Sequence, residues 1–211
     1  MPFGGLFRLT LLTCVLCLQA NAGYTHHFRW LQTPDEASLS RCIDEMRRIV
    51  DARRSLLAGP EADGEPVVTA QSIVFNGVGD NGHEPFVFPG DTESTPRDPK
   101  IPAGFNFCKT AAKPYDEVVT ACLLVARDHF PSSVLAIDSD GSWRDDWRDG
   151  ANLYSSVLRR PARNPLAGEV VPGSPPARGS ESDGFLSAPK NMLALSLGVA
   201  IVLLLFRKAR G

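Results

Sequence analysis

Two apolar, largely uncharged segments, one at each end, confine the folded part of this chain to its middle. Residues 1–22 combine a short leading region with Arg8, an apolar stretch and the small-residue pattern Ala20-Asn21-Ala22. This order is typical of a secretory signal peptide and predicts cleavage after Ala22. A buried N-terminal helix is the alternative, but it does not explain why the three regions follow in this order.

The second apolar segment, Met192 to Phe206, has no charged residue and is followed by Arg207, Lys208 and Arg210. It spans about 22 Å as a helix, and Asn191 with the stem of Lys190 extends it toward the thickness of a bilayer. The pattern predicts one transmembrane helix over 191–206, with a basic cytoplasmic tail over 207–211. A sorting tail of bacterial envelope proteins, cleaved by a transpeptidase, remains the alternative.

Residues 159–190 are rich in Pro, Gly and Ser and poor in apolar residues. Such a composition cannot bury enough apolar surface to offset the entropy lost on ordering, so it predicts a disordered stalk. The folded domain is then expected over residues 23–158. The overall hydrophobic content of 43% excludes a polytopic membrane protein and a wholly disordered chain.

The region between the two apolar ends is acidic. Four of the 22 basic residues belong to the end segments, whereas all 24 acids lie between Gly23 and Lys190, giving a formal charge of about −6. Affinity for nucleic acid comes mainly from Lys and Arg contacts to phosphates. We therefore expect no nucleic-acid partner.

The hydrophobic periodicity predicts an α+β domain, with a mainly antiparallel sheet and two or three helices on one face. The first helix is expected to use Thr33 as its cap and to carry an apolar stripe from Leu39 to Leu57. A second helix is predicted from Pro114 to Phe130 and a weaker third over 143–158. Strands are predicted over 24–31, 85–88, 105–109 and 134–137, and a strand or a bent strand pair is predicted over 67–76.

Three cysteines remain after removal of the signal peptide: Cys42, Cys108 and Cys122. Cys42 and Cys122 fall on apolar helix faces, which favours free thiols that pack as small hydrophobic groups. A disulfide between two of the three remains open, because an exported domain folds in an oxidising compartment.

The segment from Phe105 to Asp116 runs from a predicted strand into a predicted helix through a loop with two lysines. Lysines and backbone N–H groups at a helix N-terminus can hold phosphate or carboxylate. The alternative is that Lys113 and Asp116 pair locally while Tyr115 packs. The candidate ligand-binding residues are Asn76, Lys109, Thr110, Lys113, Tyr115, Asp116 and Asp140.

Three other sets of residues are candidates for a metal or catalytic site. Asp138 and Asp140 have the spacing of a Ca²⁺ loop, but Trp143 stands where that loop requires Gly, so a turn is the better interpretation. His83 and Glu84 follow a Gly-rich turn, where exposed turn residues are expected. His26 and His27 alternate on a strand and point to opposite faces. We therefore predict no metal, no cofactor and no defined catalytic residue.

Several of these motifs resemble a family of uncharacterised bacterial proteins. The matching residues are Gly23-Tyr24-Thr25-His26, Phe75-Asn76-Gly77, Phe107-Cys108-Lys109-Thr110, Lys113-Pro114-Tyr115-Asp116 and Ser139-Asp140-Gly141. His27-Phe28 departs from the Tyr-Trp of that family. The resemblance covers residues 23–158. The resemblance implies that related proteins lack a signal peptide and a membrane anchor. It implies no known activity.

The layout predicts a single-pass protein of the bacterial envelope, whose N-terminal domain lies outside the membrane, in the periplasm or extracellular space. We expect this domain to bind a protein partner or a small anionic ligand. The alternative is a membrane-tethered enzyme acting on a small anionic or phosphorylated substrate. In that case Lys109, Lys113 and Tyr115 would form the site with Asp116, and His83 or Asp140 would contribute.

Overall fold

The computed structural model describes residues 24–93 and 98–166. The predicted signal peptide, transmembrane helix and tail, and residues 167–190 of the predicted stalk, lie outside the described residues. Within residues 24–93 and 98–166, no helix combines the length and apolar character needed to cross a bilayer.

The described chain folds as an α+β domain, as predicted. Its helices are α1 (Glu36–Ala52), α2 (Asp116–His129) and α3 (Arg148–Leu158). Its strands are β1 (Thr25–Trp30), β2 (Leu57–Ala58), β3 (Val67–Val68), β4 (Ile73–Gly77), β5 (Phe86–Phe88), β6 (Phe105–Lys109) and β7 (Leu135–Ser139).

The strands form two small sheets instead of the single sheet that was expected. One has the order β6-β1-β7, and the other has the order β2-β4-β3, with β5 also paired to β4. All these pairings are antiparallel, as predicted. β5 has three residues and is followed by Pro89, which has no N–H to extend a ladder toward β6.

β1 lies at the centre of the first sheet and alternates strictly between its two faces. His26, Phe28 and Trp30 are buried on the face that packs against the helices, whereas the residues between them are half-buried. Trp30 meets Phe130, the residue after α2, edge to face at 4.9 Å between ring centroids. The expectation that His26 and His27 point to opposite faces is confirmed.

α1 begins later than the sequence pattern suggested. Its cap is Asp35, not Thr33, because the Asp35 carboxylate accepts a hydrogen bond from the Ser38 backbone N–H at 2.8 Å. The helix ends at Ala52, so Leu57 belongs to β2 and not to the helical stripe. In the rest of the predicted stripe Leu39 is half-buried, and the other residues are buried: Cys42, Ile43, Met46, Ile49 and Val50.

α2 and α3 pack closely because Gly150 lies against α2. A Cβ atom at Gly150 would come within 2.0 Å of the Thr120 hydroxyl oxygen. The three cysteines are free and buried in this core. Burial raises the pKa of the Cys42, Cys108 and Cys122 thiols, so they contribute packing and not thiolate chemistry.

The two candidate caps of α1 can be told apart by mutation. We expect Asp35→Ala to lower the thermal unfolding midpoint by a few degrees, because the Ser38 N–H loses its acceptor. Thr33→Ala serves as the matched control and should leave the midpoint unchanged. Circular dichroism melting measures both. An equal loss in the two variants, or a loss in Thr33→Ala alone, would contradict this cap.

Candidate functional site

A buried chain of hydrogen bonds crosses one end of the domain and is centred on His26. The imidazole is fully buried, and its two nitrogens have different partners. Nε2 lies 2.8 Å from Asp116 Oδ1, and Nδ1 lies 3.0 Å from the Ser139 hydroxyl oxygen. The Thr110 hydroxyl donates to the same Asp116 oxygen at 2.5 Å. A serine, a histidine and an aspartate are thereby joined in one line.

The other contacts of Ser139 fix the direction of the protons. Its oxygen accepts hydrogen bonds from the Gly141 backbone N–H at 3.0 Å and from Trp147 Nε1–H at 3.2 Å. A hydroxyl has two lone pairs and one proton. The proton of Ser139 is therefore donated to His26 Nδ1, and His26 Nε2 carries the hydrogen that Asp116 accepts.

The secondary structure places these three groups together. The register of β1 and β7 pairs His26 with Ser139, and both side chains face the helices. Asp116 is the first residue of α2, where the helix dipole favours a carboxylate. Two aromatic rings meet His26 edge to face: Tyr24 at 5.0 Å and Trp147 at 5.2 Å between centroids.

A second group of hydrogen bonds holds the Gly-rich turn after β4. The buried Asn76 side chain accepts from the backbone N–H groups of Gly77 and His83 at 2.8 and 2.9 Å. It also donates to the carbonyls of Pro60 and His83, both at 3.1 Å. All the hydrogen-bonding capacity of this amide therefore goes to shaping the loop.

The predicted anion-binding loop is fastened to the same turn. The Tyr115 hydroxyl donates to the Glu84 carbonyl at 2.8 Å, and the Lys113 ammonium donates to the Asp80 carbonyl. The Lys109 backbone N–H donates to the Glu84 carboxylate at 3.0 Å. The Lys113 side chain thus contacts Asp80 and does not pair with the Asp116 carboxylate. Burial raises the pKa of Tyr115, which keeps its hydroxyl protonated as a donor.

The seven predicted site residues therefore fall into neighbouring groups with different partners. Thr110 and Asp116 belong to the His26 chain, whereas Asn76, Lys113 and Tyr115 belong to the turn. The Asp140 carboxylate accepts the Thr25 backbone N–H at 3.0 Å, and Lys109 has a half-buried side chain on β6. Within the described chain, no group of three or more His, Cys, Asp or Glu side chains is arranged to hold a metal ion.

Sequence reasoning missed the roles of His26 and Ser139. Strand alternation does put His26 on the core face of β1, and Ser139 follows Ile137 on the core face of β7. The register that makes these two residues neighbours joins positions far apart in the chain, and no local pattern encodes it.

The opposite end of α2 carries a compact ionic cluster around Arg160. Its guanidinium binds Glu45 through two contacts of 3.0 and 2.6 Å and lies 2.7 Å from Asp128. The Tyr154 hydroxyl hydrogen-bonds to both Asp128 and Arg160, and His129 lies 3.0 Å from Glu45. An open cavity of about 300 Å³ beside the cluster is lined by Asp128, Tyr154, Arg160, Pro161 and Arg163. The cluster joins α1, α2 and the segment after α3.

These contacts raise the pKa of Arg160 and also shift the pKa values of Glu45 and Tyr154. Burial alone would raise the pKa of Glu45, but hydrogen bonds from Arg160 and His129 leave that pKa below its usual value. Burial and the hydrogen bond to Asp128 raise the pKa of Tyr154 to about 12. Glu45 is therefore ionised and Tyr154 neutral near pH 7.

Comparison of the chain with protein-family models, with curated proteins and with solved structures found no match.

The His26 chain can be tested by removing its serine. Ser139→Ala leaves Trp147 Nε1–H, the Gly141 N–H and His26 Nδ1 each short of a partner, so we expect a loss of about 2 kcal/mol in unfolding free energy. Ser133→Ala, at an exposed position outside this chain of hydrogen bonds, should change the unfolding free energy by about 0.5 kcal/mol or less. Urea denaturation followed by tryptophan fluorescence measures both, and equal losses would argue against the chain as described.

The Arg160 cluster predicts a specific pH dependence. Because the folded-state pKa of Glu45 is lowered, its stabilising contribution is complete above the unfolded-state value of about 4.3 and is lost as the pH falls through the folded-state value. Urea midpoints of the wild type should therefore fall below about pH 4.3, and Glu45→Gln should flatten that part of the profile. Asp44→Asn, with an exposed neighbouring carboxylate, is the control. Parallel wild-type and Glu45→Gln profiles would contradict this assignment.

Proposed function

We propose that this protein is a single-pass, membrane-anchored protein of the bacterial envelope, and that its domain outside the membrane binds a protein partner. The order of signal peptide, domain, stalk, apolar segment and basic tail in the sequence supports the membrane layout. The anchor sets where the domain acts, and the domain surface sets what it binds.

The observation that carries the binding proposal is the outer face of the first sheet. On this face β1 presents His27 opposite Phe107, and Arg29 opposite Phe105. The Phe105 ring stacks on His27 at 5.8 Å and lies 6.2 Å from the Phe107 ring. All four side chains are half-buried. This aromatic face lies on the side of β1 opposite the helices.

The chemistry of the aromatic face fits a protein partner. Aromatic residues and Arg are enriched in protein interfaces, and aromatic rings commonly anchor the centre. Burial lowers the pKa of His27, so its ring is neutral near pH 7 and adds to the apolar centre. Asp138 lies opposite His27 in the register of β1 and β7 and is exposed. Arg29 and Asp138 place charge around the apolar centre of the aromatic face.

The polar groups at the predicted anion site argue against a small anionic ligand there. The side chains of Asn76, Lys113 and Tyr115 make hydrogen bonds to the domain's own backbone. A small anionic ligand would have to displace these contacts. We therefore rank the anionic ligand below a protein partner.

Site-specific photocrosslinking in intact cells tests this proposal. A photoreactive residue at Phe107 should give one discrete adduct, which disappears when Phe105→Ala and His27→Ala are added. The same probe at Ser156, an exposed position on α3, is the matched control and should give no such adduct. Adducts of the same size from both positions, or none from Phe107, would count against the aromatic face as the binding surface.

A tethered hydrolase is the second candidate, and the line Ser139–His26–Asp116 is the observation that favours it. In this role the Ser139 oxygen attacks a carbonyl carbon while its proton passes to His26 Nδ1, and Asp116 stabilises the imidazolium. Collapse of the intermediate breaks the bond to the leaving group, which takes that proton. Water then hydrolyses the acyl-enzyme and restores the Ser139 hydroxyl.

The surroundings of Ser139 change the expected substrate of this alternative. Asp138 and Asp140 flank it, and Asp146 follows in the next turn, so an anionic substrate would be repelled. The alternative derived from the sequence placed an anionic substrate against Lys109, Lys113 and Tyr115. The hydrolase supported by the geometry would instead take a neutral or cationic ester or amide.

A fluorophosphonate probe, which labels activated serines, decides this second candidate. We expect covalent labelling of the wild type that is lost in Ser139→Ala and retained in Ser142→Ala if the hydrolase is correct. Intact-mass spectrometry identifies the adduct. An unlabelled wild type, with folding verified by circular dichroism, would remove the hydrolase and leave the binding proposal unaffected.

A further inference from the structure

Exposed arginines gather at the end of the domain where the chain leaves it. Arg41 and Arg48 lie on the same side of α1 as Glu45, because positions four and seven residues apart share a helix face. Arg159 and Arg163 flank Arg160 just after α3. We call Arg41, Arg48, Arg159 and Arg163 the arginine surface, and all four are exposed.

Side-chain contacts show that these residues share one region. Arg48 donates to the carbonyl of Val157, near the end of α3, at 2.9 Å. Arg160 is bound to Glu45, which lies between Arg41 and Arg48 on α1. Arg163 lines the same open cavity as Arg160. Arg48 and Arg163 therefore lie beside the Arg160 cluster, while Arg41 shares the helix face of Arg48 and Arg159 precedes Arg160 in the chain.

The nearby carboxylates neutralise this surface only in part, because the arginines around them outnumber them. Glu45 and Asp128 are both bound to Arg160, and Asp44 lies 3.8 Å from Arg47. The surface is positive although the described residues as a whole contain more acids than bases. Residues 138–149, by contrast, hold five Asp and two Arg.

The helices separate these two regions. α2 begins at Asp116 and α3 follows Trp147, and both residues contact His26, so the two helices start at the same end. α2 then reaches Asp128 and α3 reaches Tyr154, which hydrogen-bond to each other near Arg160. α2 is about 20 Å long. The acidic turn and the arginine surface therefore lie about 20 Å apart, at opposite ends of α2.

The chain leaves the domain at the positive end. Ala162 and Leu166 pack against the core, which holds the exit beside the arginine surface. Resting on the membrane anchor proposed above, we propose that the arginine surface docks on anionic phospholipid headgroups of the bilayer in which the protein is anchored. The acidic turn around Ser139 and Asp140 then points away from the membrane.

Physical estimates favour the bilayer as the occupant of this surface. If residues 167–190 of the predicted stalk behave as a flexible chain, their root-mean-square reach is about 27 Å, which keeps the domain close to its own membrane. Arg binds phosphate through two parallel hydrogen bonds. Each basic residue near an anionic bilayer strengthens binding about fivefold, and salt screens the attraction.

Energy transfer from the domain to labelled lipids tests this docking. The full chain is reconstituted in vesicles of phosphatidylcholine alone or with about one third phosphatidylglycerol. A donor dye is placed either at Asn164→Cys, near the exit, or at Ser142→Cys, in the acidic turn. The three native cysteines are buried, so a thiol dye labels the introduced residue. Acceptor lipids lie in the leaflet that faces the domain.

We expect stronger transfer from Asn164→Cys than from Ser142→Cys in the anionic vesicles, corresponding to a difference in height of about 20 Å. Salt at about 0.5 M should abolish the difference. Changing the four residues of the arginine surface to Gln should do the same. The matched control changes Arg54, Lys100, Arg144 and Arg148, four exposed cations elsewhere, to Gln and should retain the difference.

Alkaline carbonate extraction in parallel separates this inference from the anchor. Suppose that the protein resists extraction. Equal energy transfer from both dye positions, or transfer that does not depend on phosphatidylglycerol, would then overturn the docking without affecting the anchor. If the chain is extracted, the anchor is wrong. Docking is then tested by sedimentation with the same vesicles. Binding to the anionic vesicles that is lost in the arginine variant supports docking, and absence of binding overturns it.

Discussion

The buried imidazole of His26 sets the condition that the surrounding structure must meet. A histidine without solvent contact needs partners for both nitrogens, because an unsatisfied buried polar group costs about 1–3 kcal/mol. Ser139 satisfies one nitrogen and Asp116 the other, at 3.0 and 2.8 Å. These three residues come from the central strand, the start of α2 and the end of β7. Satisfying one side chain therefore fixes how the first sheet meets the helices.

α2 connects this polar line to the Arg160 cluster and gives the domain two different ends. At its N-terminus the dipole favours the Asp116 carboxylate, and near its C-terminus it favours the guanidinium of Arg160. Arg160 binds both Glu45 of α1 and Asp128 of α2, so the segment after α3 closes the helical layer. The charge separation along α2 follows from this arrangement, and it is the feature that can orient a tethered domain.

Many polar groups of the loops are already used within the fold. Asn76, Lys113 and Tyr115 shape the Gly-rich turn and its neighbouring loop. The surfaces left for a partner are then the aromatic face around Phe105 and Phe107 and the arginine surface. They differ in chemistry, since one is apolar at its centre and the other is cationic. A protein partner on the first and lipid headgroups on the second are compatible in one anchored molecule.

The sequence by itself determined the fold class, the opposite faces of His26 and His27, and the buried stripe of α1, because these follow from the local periods of strands and helices. It misplaced the cap of α1, since Thr33 and Asp35 are both good caps and the choice depends on where the chain enters the core. It identified Thr110 and Asp116 as site residues but assigned them to an anion. The tertiary structure alone decided that Ser139, His26 and Asp116 meet, because that contact depends on strand register and helix placement across more than 100 residues of chain.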